Sequence, residues 1–190
     1  MEDMRDKIIE VATDLFMKQG YHITSTRQIA KILNITQPAI YHHFPNKEYL
    51  YLDVLRKFAL GVGRSLNSKR LSNADDESKL LEMSNQLKHN HPVNLAMMMH
   101  DMSNELSDES KREVYDIWMR NYIIPLEEFF SDVIKYNNLD YDPQIISRLY
   151  MRGLSPFIND DFSNYYNSDL ELELFVSIFM KGLKSKSTPL

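Results

Sequence analysis

The sequence predicts an all-α protein of about nine helices. Apolar residues recur every three or four positions through most of the chain, which is the spacing of one helix face. Residues that start and stop helices mark the ends of these segments. No segment alternates apolar and polar residues as a half-buried strand does. We expect one domain over residues 1–58 and a second over 59–190.

The first part of the chain predicts three short helices that lead into a long one. Apolar residues at helical spacing predict the first helix over residues 4–19, and Gly20 is a natural helix stop. Ser25 followed by Gln28 forms a capping-box pattern that opens the second helix. Asn34 then tolerates the left-handed backbone that a short turn requires.

A third helix of two turns is predicted from Gln37 to Phe44. Thr36 is placed to cap it, and Gln37 and Pro38 occupy its first positions, where a missing N–H costs nothing. Pro45 prevents the helix from continuing past Phe44. A helix this short is not stable alone in water, so its neighbours must hold it.

The rest of the chain predicts one long helix and then five helical segments. Asn46 caps the long helix, and the polar, aperiodic residues 67–77 predict a flexible connection after it. The later helical patterns cover residues 78–90, 93–105, 108–137, 143–158 and 169–184. Pro125 lies inside the 108–137 pattern and should bend or split that helix near residues 122–124.

The composition excludes several classes of function. The chain has no cysteine, which excludes disulfides, thiolate zinc sites and cysteine nucleophiles. No apolar run is long enough to span a membrane and the N-terminus is acidic, so we expect a cytoplasmic protein without a membrane segment. The chain also lacks a phosphate-cradling glycine-rich loop, a nucleophile elbow and a metal-spaced pair of histidine and carboxylate. We therefore expect no enzyme activity, no catalytic residue, no metal and no cofactor.

The charge is distributed unevenly along the chain. The total is −5, but residues 1–58 contain eight Lys/Arg and seven Asp/Glu, a net charge of +1, and the remainder contains fourteen and twenty, a net charge of −6. Residues 15–47 contain four basic residues and no acidic one, a local charge of +4. Phosphate contacts need only a local basic face, so the negative total does not exclude nucleic acid.

A long, gap-free pattern runs through the first 58 residues. Its members are Ala12, Phe16, Gly20, Tyr21, Thr24, Thr26, Ile29, Ala30, Tyr41, His43, Phe44, Lys47 and Leu50. By this pattern, residues 4–58 resemble the N-terminal domain of the TetR family of transcriptional repressors. The resemblance implies a helix-turn-helix DNA-binding domain linked by a long helix to a helical domain for ligand binding and dimerisation. It also implies a homodimeric, ligand-responsive repressor that binds a palindromic operator in double-stranded DNA.

The predicted third helix has a core side and an accessible side. Ile40 and Phe44 are spaced to face the core, which turns the residues between them outward. Gln37 is placed to hydrogen-bond a base edge and Ala39 to contact a thymine methyl group. Tyr41, with one of the two following histidines, is placed to reach phosphates.

The resemblance adds residues at the starts of the second and fourth helices. It implies that Thr26 and Arg27 contact the DNA, together with Lys47. Lys47 lies in the first turn of the fourth helix, where free N–H groups favour a phosphate. The complete predicted DNA-contacting set is Thr26, Arg27, Thr36, Gln37, Pro38, Ala39, Tyr41, His42, His43 and Lys47.

Other interpretations of these residues stay open. Tyr41 would also suit a half-buried aromatic position that fills the domain, and Arg27 and Lys31 would also suit solvated surface positions. Pro38 needs no role beyond starting the helix. His42 and His43 are poor candidates for metal ligands, because adjacent helical side chains diverge by about 100° and no third ligand is evident.

The second domain predicts a dimer face and a ligand pocket. Its last two helices are apolar on more than one side, so they need a second partner such as a two-fold four-helix bundle. The predicted dimer residues are Ile146, Leu149, Tyr150, Phe157, Leu174, Phe175, Ile178 and Phe179. A methionine-rich apolar group would suit a small lipophilic effector, because methionine packs around varied shapes, although ordinary core is the alternative. Its members are Met83, Met98, Met102, Trp118, Met119, Tyr122 and Phe129.

A protein-interaction module or coactivator of the same family, with secondary or lost DNA binding, is the competing function. The intact set of basic and polar residues on the second, third and fourth helices speaks against lost DNA binding. The sequence therefore predicts a DNA-binding regulator first and an interaction protein second.

Overall fold

The computed structural model describes residues 3–89, 104–158 and 167–185. Within them the chain forms nine α-helices, one π-helical turn and no strand, which confirms the all-α prediction. The helices are α1 Met4–Ile23, α2 Thr26–Ile32, α3 Gln37–His43, α4 Lys47–Arg70, α5 Asp76–His89, α6 Asp108–Trp118, α7 Ile124–Tyr136, α8 Pro143–Ile158 and α9 Ser168–Lys184, with the π-helical turn at Met119–Ile123. The predicted helix over 93–105 lies mostly outside the described residues. Across the described ranges, no helix is both long enough and apolar enough to cross a membrane.

The ends of the first helices follow the predicted signals. Gly20 has φ of +80° and interrupts α1, and Asn34 has φ of +52° in the turn between α2 and α3. Ser25 and Gln28 form the complete capping box at the start of α2. The side chain of Asn46 accepts a hydrogen bond of 3.0 Å from the third residue of α4. These ends are fixed by residues close together in sequence.

Thr36 occupies the N-cap position of α3 but does not cap it through its side chain, so that prediction is wrong. An N-cap side chain accepts from the second or third N–H of a helix. The second residue here is Pro38, which has no N–H, and the N–H of Ala39 donates instead to the backbone oxygen of Thr36 at 3.0 Å. The backbone therefore takes the place of the side chain.

The chain divides into two compact units. The first contains residues 1–60 and 92–118, and the second contains 61–91 and 119–190. The core of the first unit joins α1, α2, α3 and the start of α4 around Phe16, whose ring lies 4.9 Å from that of Tyr51. Leu106 and Val114 belong to the same core, so the start of α6 packs within this unit.

The second unit is built around the ring of Tyr150. Its centroid lies 5.5 Å from that of Phe130 and 4.8 Å from that of Phe179, and its hydroxyl group is 2.5 Å from the Ser84 hydroxyl. These four residues come from α5, α7, α8 and α9. One buried aromatic side chain thus joins four of the helices in this unit.

Two predictions about helix ends in the second unit had different outcomes. Pro125 splits the 108–137 pattern as predicted, since α6, the π-helical turn and α7 replace one helix. The flexible connection predicted over 67–77 is shorter, because α4 continues to Arg70 and α5 begins at Asp76. The guanidinium group of Arg70 pairs with Glu128 at 3.0 Å and with Asp132 at 3.1 Å, which stabilises the last turn of α4.

Candidate nucleic-acid interface

The short helix α3 is fixed in the first unit by its apolar side. Ile40 and Phe44 are buried in the core, as the spacing predicts, and the residues between them are accessible to different degrees. Tyr41 keeps 44% of its surface exposed, so it is not simply a core residue. The accessible side of α3 can therefore meet a ligand without losing the contacts that hold the helix.

Three polar side chains from α2 and α3 form a network that we call the hydroxyl–amide triad, consisting of Thr26, Gln37 and Tyr41. The amide nitrogen of Gln37 lies 2.9 Å from the hydroxyl oxygen of Thr26 and 3.3 Å from that of Tyr41. The two hydroxyl oxygens are 3.1 Å apart. The triad ties the first turn of α3 to the first residue of α2.

The triad also changes the acidity of Tyr41. Its hydrogen bond with Thr26, followed by that with Gln37, lowers the pKa of Tyr41 from its ordinary value of 10.0. Burial opposes this shift, and the positive charges of Arg27 and Lys47 add to it. Hydrogen bonds donated to the phenol oxygen favour its charged form.

Thr26 is placed differently from the prediction. Only 4% of its surface is exposed, and its hydroxyl group is engaged in the triad. A direct side-chain contact to DNA is therefore corrected to a supporting role beneath Gln37 and Tyr41. The sequence gives no local signal for this role, because Thr26 and Tyr41 are fifteen residues apart.

Lys47 has an internal role that sequence reasoning missed. Its ammonium group donates to the backbone oxygen of Tyr21 at 2.9 Å and to that of Thr24 at 3.2 Å. It also lies 4.0 Å from the centre of the Tyr21 ring, within the range of a cation–π interaction. Lys47 thus joins the start of α4 to the end of α1.

The other predicted contact residues lie on the accessible parts of α2 and α3. Arg27, Thr36, Pro38 and His42 are exposed, and Ala39 and His43 are partly buried. The basic residues Lys18 and Lys31 are exposed as well. Residues 15–47, which include all of α2 and α3, contain four basic side chains and no acidic one, a local charge of +4.

Two polar links connect α6, and the residue just before it, to α4 within the first unit. The carboxylate of Glu48 accepts a hydrogen bond of 2.8 Å from the N–H of Ser107, and Arg56 pairs with Glu113. Burial would raise the pKa of Glu48, but hydrogen bonds from Ser110 and Ser107 outweigh it and lower that pKa. Ser107 lies directly before α6, and its partner Glu48 is 59 residues away in the sequence.

The predicted dimer residues divide into two groups. Leu149, Leu174 and Ile178 are exposed, while Tyr150 is fully buried and makes the contacts described above. Tyr150 cannot also contact a partner, so its assignment to the dimer face is wrong. The other predicted members, Ile146, Phe157, Phe175 and Phe179, are partly buried.

Two further apolar residues of α8 and α9 are exposed, and the prediction omitted them. Ile145 on α8 and Leu170 on α9 are exposed, and they precede Leu149 and Leu174 by four positions. Residues four apart lie on one side of a helix. The i, i+4 spacing of Ile145 with Leu149 was the signal that would have found them. We call the set Ile145, Leu149, Leu170, Leu174 and Ile178 the apolar stripe.

The predicted effector residues are not brought into one group. Met83, Tyr122 and Phe129 are buried in the second unit, where burial raises the pKa of Tyr122. Met119 is partly buried in the same unit, whereas Trp118 belongs to the first unit and has its ring 6.2 Å from that of Tyr115. Met98 and Met102 lie outside the described residues. The lipophilic pocket therefore stays a prediction.

Comparison with known proteins agrees with the geometry of the first unit. Residues 8–54 match the family model described as bacterial regulatory proteins, tetR family. The HTH-type transcriptional regulator QacR of Staphylococcus aureus is 42% identical over 53 residues, which cover 28% of each chain. The negative transcriptional regulator IcaR of the biofilm operon in Staphylococcus epidermidis is 44% identical over 48 residues, 25% of this chain and 26% of that one. The chain thus matches about a quarter of the length of these relatives.

A solved structure extends the likeness of fold to nearly the whole chain. The transcriptional regulator FadR from Bacillus subtilis, in complex with stearoyl-CoA, superposes with a TM-score of 0.75 and 16% identity. The match covers 93% of this chain and 98% of that chain. At this identity it shows a shared fold.

Proposed function

We propose that this chain is a sequence-specific DNA-binding transcriptional regulator of the TetR family, because residues 8–54 match the model of that family and QacR is 42% identical over 53 residues. The observation that carries the proposal is the accessible side of α3, where Gln37 and Tyr41 are held in place beside a basic surface. An α-helix of this kind fits the major groove, where side chains reach base edges. Residues 1–58 form the proposed DNA-binding domain and residues 59–190 the proposed effector-binding and dimerisation domain.

The proposal assigns different roles to different residues. Gln37 contacts a base edge and Ala39 a thymine methyl group, and these contacts select the sequence. Arg27 contacts a phosphate, which positions the protein without reading sequence. His42 and His43 add phosphate contacts, and Thr36 and Pro38 lie beside the groove. No residue is assigned a catalytic step.

We further propose that the protein binds as a homodimer joined through the apolar stripe. A two-fold dimer presents two copies of α3 to successive major grooves, about 34–36 Å apart, on a palindromic operator. The stripe supports this because the five large apolar side chains are exposed in one chain, and a second copy would cover them.

Regulation by a small molecule completes the proposal. IcaR is named a negative regulator, and FadR was solved with stearoyl-CoA, so we propose a cytoplasmic repressor that a small lipophilic effector releases from DNA. Release requires only that the effector binds the non-binding conformation more tightly than the DNA-binding one. Stearoyl-CoA and free stearate are suitable first probes, and a concentration-dependent rise in melting temperature would indicate binding.

DNA binding is tested with full-length protein and a pool of random duplexes. Repeated selection should enrich an inverted repeat, and Gln37→Ala should relax the preference at one base pair in each half-site. Arg27→Ala should weaken binding to all duplexes and reduce the salt dependence by about one released ion per lost phosphate contact. Lys135→Ala, which removes an exposed lysine at the end of α7, is the matched control and should change neither.

Two results would reject the proposal. One is a wild-type protein that enriches no duplex at any salt concentration. The other is a protein whose Gln37→Ala and Arg27→Ala variants both bind the selected duplex as Lys135→Ala does. Either result would favour the competing interaction module.

A further inference from the structure

The hydroxyl–amide triad fixes the orientation of the Gln37 side chain. Its three contacts of 2.9, 3.1 and 3.3 Å lie within hydrogen-bonding distance, and a hydrogen bond at each contact needs a proton between the two heavy atoms. The two hydroxyl groups carry only one proton each. If the carbonyl oxygen of Gln37 pointed inward, two protons would have to serve three contacts, and one oxygen pair would repel. If the amide nitrogen of Gln37 faces the two hydroxyl groups instead, its two protons and one hydroxyl proton supply all three hydrogen bonds.

This orientation determines which end of the amide faces away from the triad. The amide nitrogen is turned toward Thr26 and Tyr41, so the outward end is the carbonyl oxygen Oε1, which accepts hydrogen bonds and donates none. Among the described residues, no side chain donates a hydrogen bond to this oxygen. Burial of Thr26 keeps the inner side of the triad away from solvent.

Resting on the proposed function, we infer that Gln37 recognises its base through Oε1 alone. The base it contacts must present an exocyclic amino group in the major groove, which only the N6 group of adenine and the N4 group of cytosine do. Glutamine commonly contacts adenine through both ends of its amide, at N6 and N7. Here the amide nitrogen is engaged by the triad, so the N7 atom of the purine is not read. Thr26 and Tyr41 are positioning residues for this recognition.

The test uses the duplex that the full-length wild-type protein selects. The base pair that Gln37→Ala no longer selects is modified in one half-site, either by removing its exocyclic amino group or by placing a 7-deazapurine in the same pair. Loss of one hydrogen bond should weaken wild-type binding about 2- to 12-fold for the amino deletion. The 7-deazapurine should change binding less than about twofold, a small fraction of one hydrogen bond. Gln37→Ala is the control and should not distinguish either duplex from the parent.

Variants of the triad test the positioning roles through the ratio of affinities for the two modified duplexes. Tyr41→Phe and Thr26→Val each remove one of the two acceptors of the amide nitrogen and free one of its N–H groups, so the 7-deazapurine should now weaken binding. Thr26→Ser keeps the hydroxyl group and should retain the wild-type ratio. A merely structural role would lower affinity for all duplexes without changing this ratio.

The outcomes separate this inference from the proposed function. If the wild-type protein selects a duplex but loses as much affinity with the 7-deazapurine as with the amino deletion, Gln37 uses both ends and the inference is wrong. The same holds if only the 7-deazapurine weakens binding. If no duplex is selected, the proposed function fails and this inference fails with it.

Discussion

Replacing Leu174 with glutamate should convert the proposed dimer into monomers. Leu174 lies in the middle of the exposed part of α9, between Leu170 and Ile178, and 59% of its surface is exposed in the single chain. In a two-fold dimer both copies of residue 174 would enter the same apolar interface. Two carboxylates there would lose their water without gaining a partner.

The size of the effect follows from the apolar stripe. Its five side chains are between 55% and 62% exposed. Complete burial of a leucine or isoleucine contributes about 1.5–3 kcal/mol, so covering the exposed part contributes about 1–2 kcal/mol each. A two-fold dimer would cover ten such side chains, five from each subunit.

The substitution acts on both subunits at once. Removing two of the ten apolar side chains costs about 2–4 kcal/mol, before the desolvation of the carboxylates is added. Since 1.4 kcal/mol is a factor of ten, this loss alone should raise the dissociation constant by about 30- to 700-fold. Sedimentation velocity over a range of protein concentrations measures this change directly.

Leu71→Glu is the matched control, because Leu71 is 68% exposed and lies outside α8 and α9. It should leave the dimer intact. The reasoning is refuted if wild-type protein sediments as a monomer at every concentration. It is refuted equally if Leu174→Glu dimerises as tightly as Leu71→Glu.

Three further predictions concern α4. Gly63→Ala should lower the free energy of unfolding by about 1–3 kcal/mol, because the new Cβ would lie 2.8 Å from the side-chain oxygen of Asn121 and 3.2 Å from the Cα of Asn121. Gly61→Ala is the control, since its Cβ would enter open space, and it should raise the free energy of unfolding by up to about 1 kcal/mol. Urea unfolding measures both changes. Lys47→Met should reduce stability by about 1.5–3 kcal/mol in the same assay, since two backbone oxygens lose a charged donor; an unchanged midpoint would contradict this. The pKa of Glu48 is lower in the folded state, so its charged carboxylate stabilises the fold at neutral pH, and this stabilisation is lost as the pH falls below the ordinary Glu pKa of 4.5. Glu48→Gln should therefore flatten the fall in the free energy of unfolding below that pH. Parallel stability–pH curves for the wild type and the variant would count against this prediction.

The sequence predicted best the features that depend on near neighbours. The capping box of Ser25 and Gln28, the turn at Asn34 and the split before Pro125 each involve residues within a few positions of one another. Their backbone geometry is decided locally, by hydrogen-bonding capacity or by the absence of an N–H. Thr36 is the exception that shows the limit, since Pro38, two positions later, lacks the N–H that its side chain could have bound.

Features that depend on distant partners were not predictable from one sequence. The roles of Thr26 and Lys47 arise from partners between 11 and 26 positions away. The apolar pattern of α8 also does not show which of its residues are buried, because apolar residues lie both on the side that packs inside the chain and on the side that stays exposed. Leu149 and Tyr150 are adjacent members of the same apolar pattern, yet Tyr150 is fully buried and Leu149 is 55% exposed. Only the packing of α5, α7 and α9 around α8 distinguishes them.

The shortness of α3 is consistent with its proposed task. Seven residues form too few hydrogen bonds to hold a helix in water, so its position depends on Ile40 and Phe44 below and on the triad beside it. A side chain already held in one conformation loses less entropy on binding, about 0.5–1.5 kcal/mol for a residue as flexible as glutamine. The same hydroxyl groups that hold Gln37 also withhold its amide nitrogen from DNA. Preorganisation here would therefore strengthen one base contact and narrow what that contact can recognise.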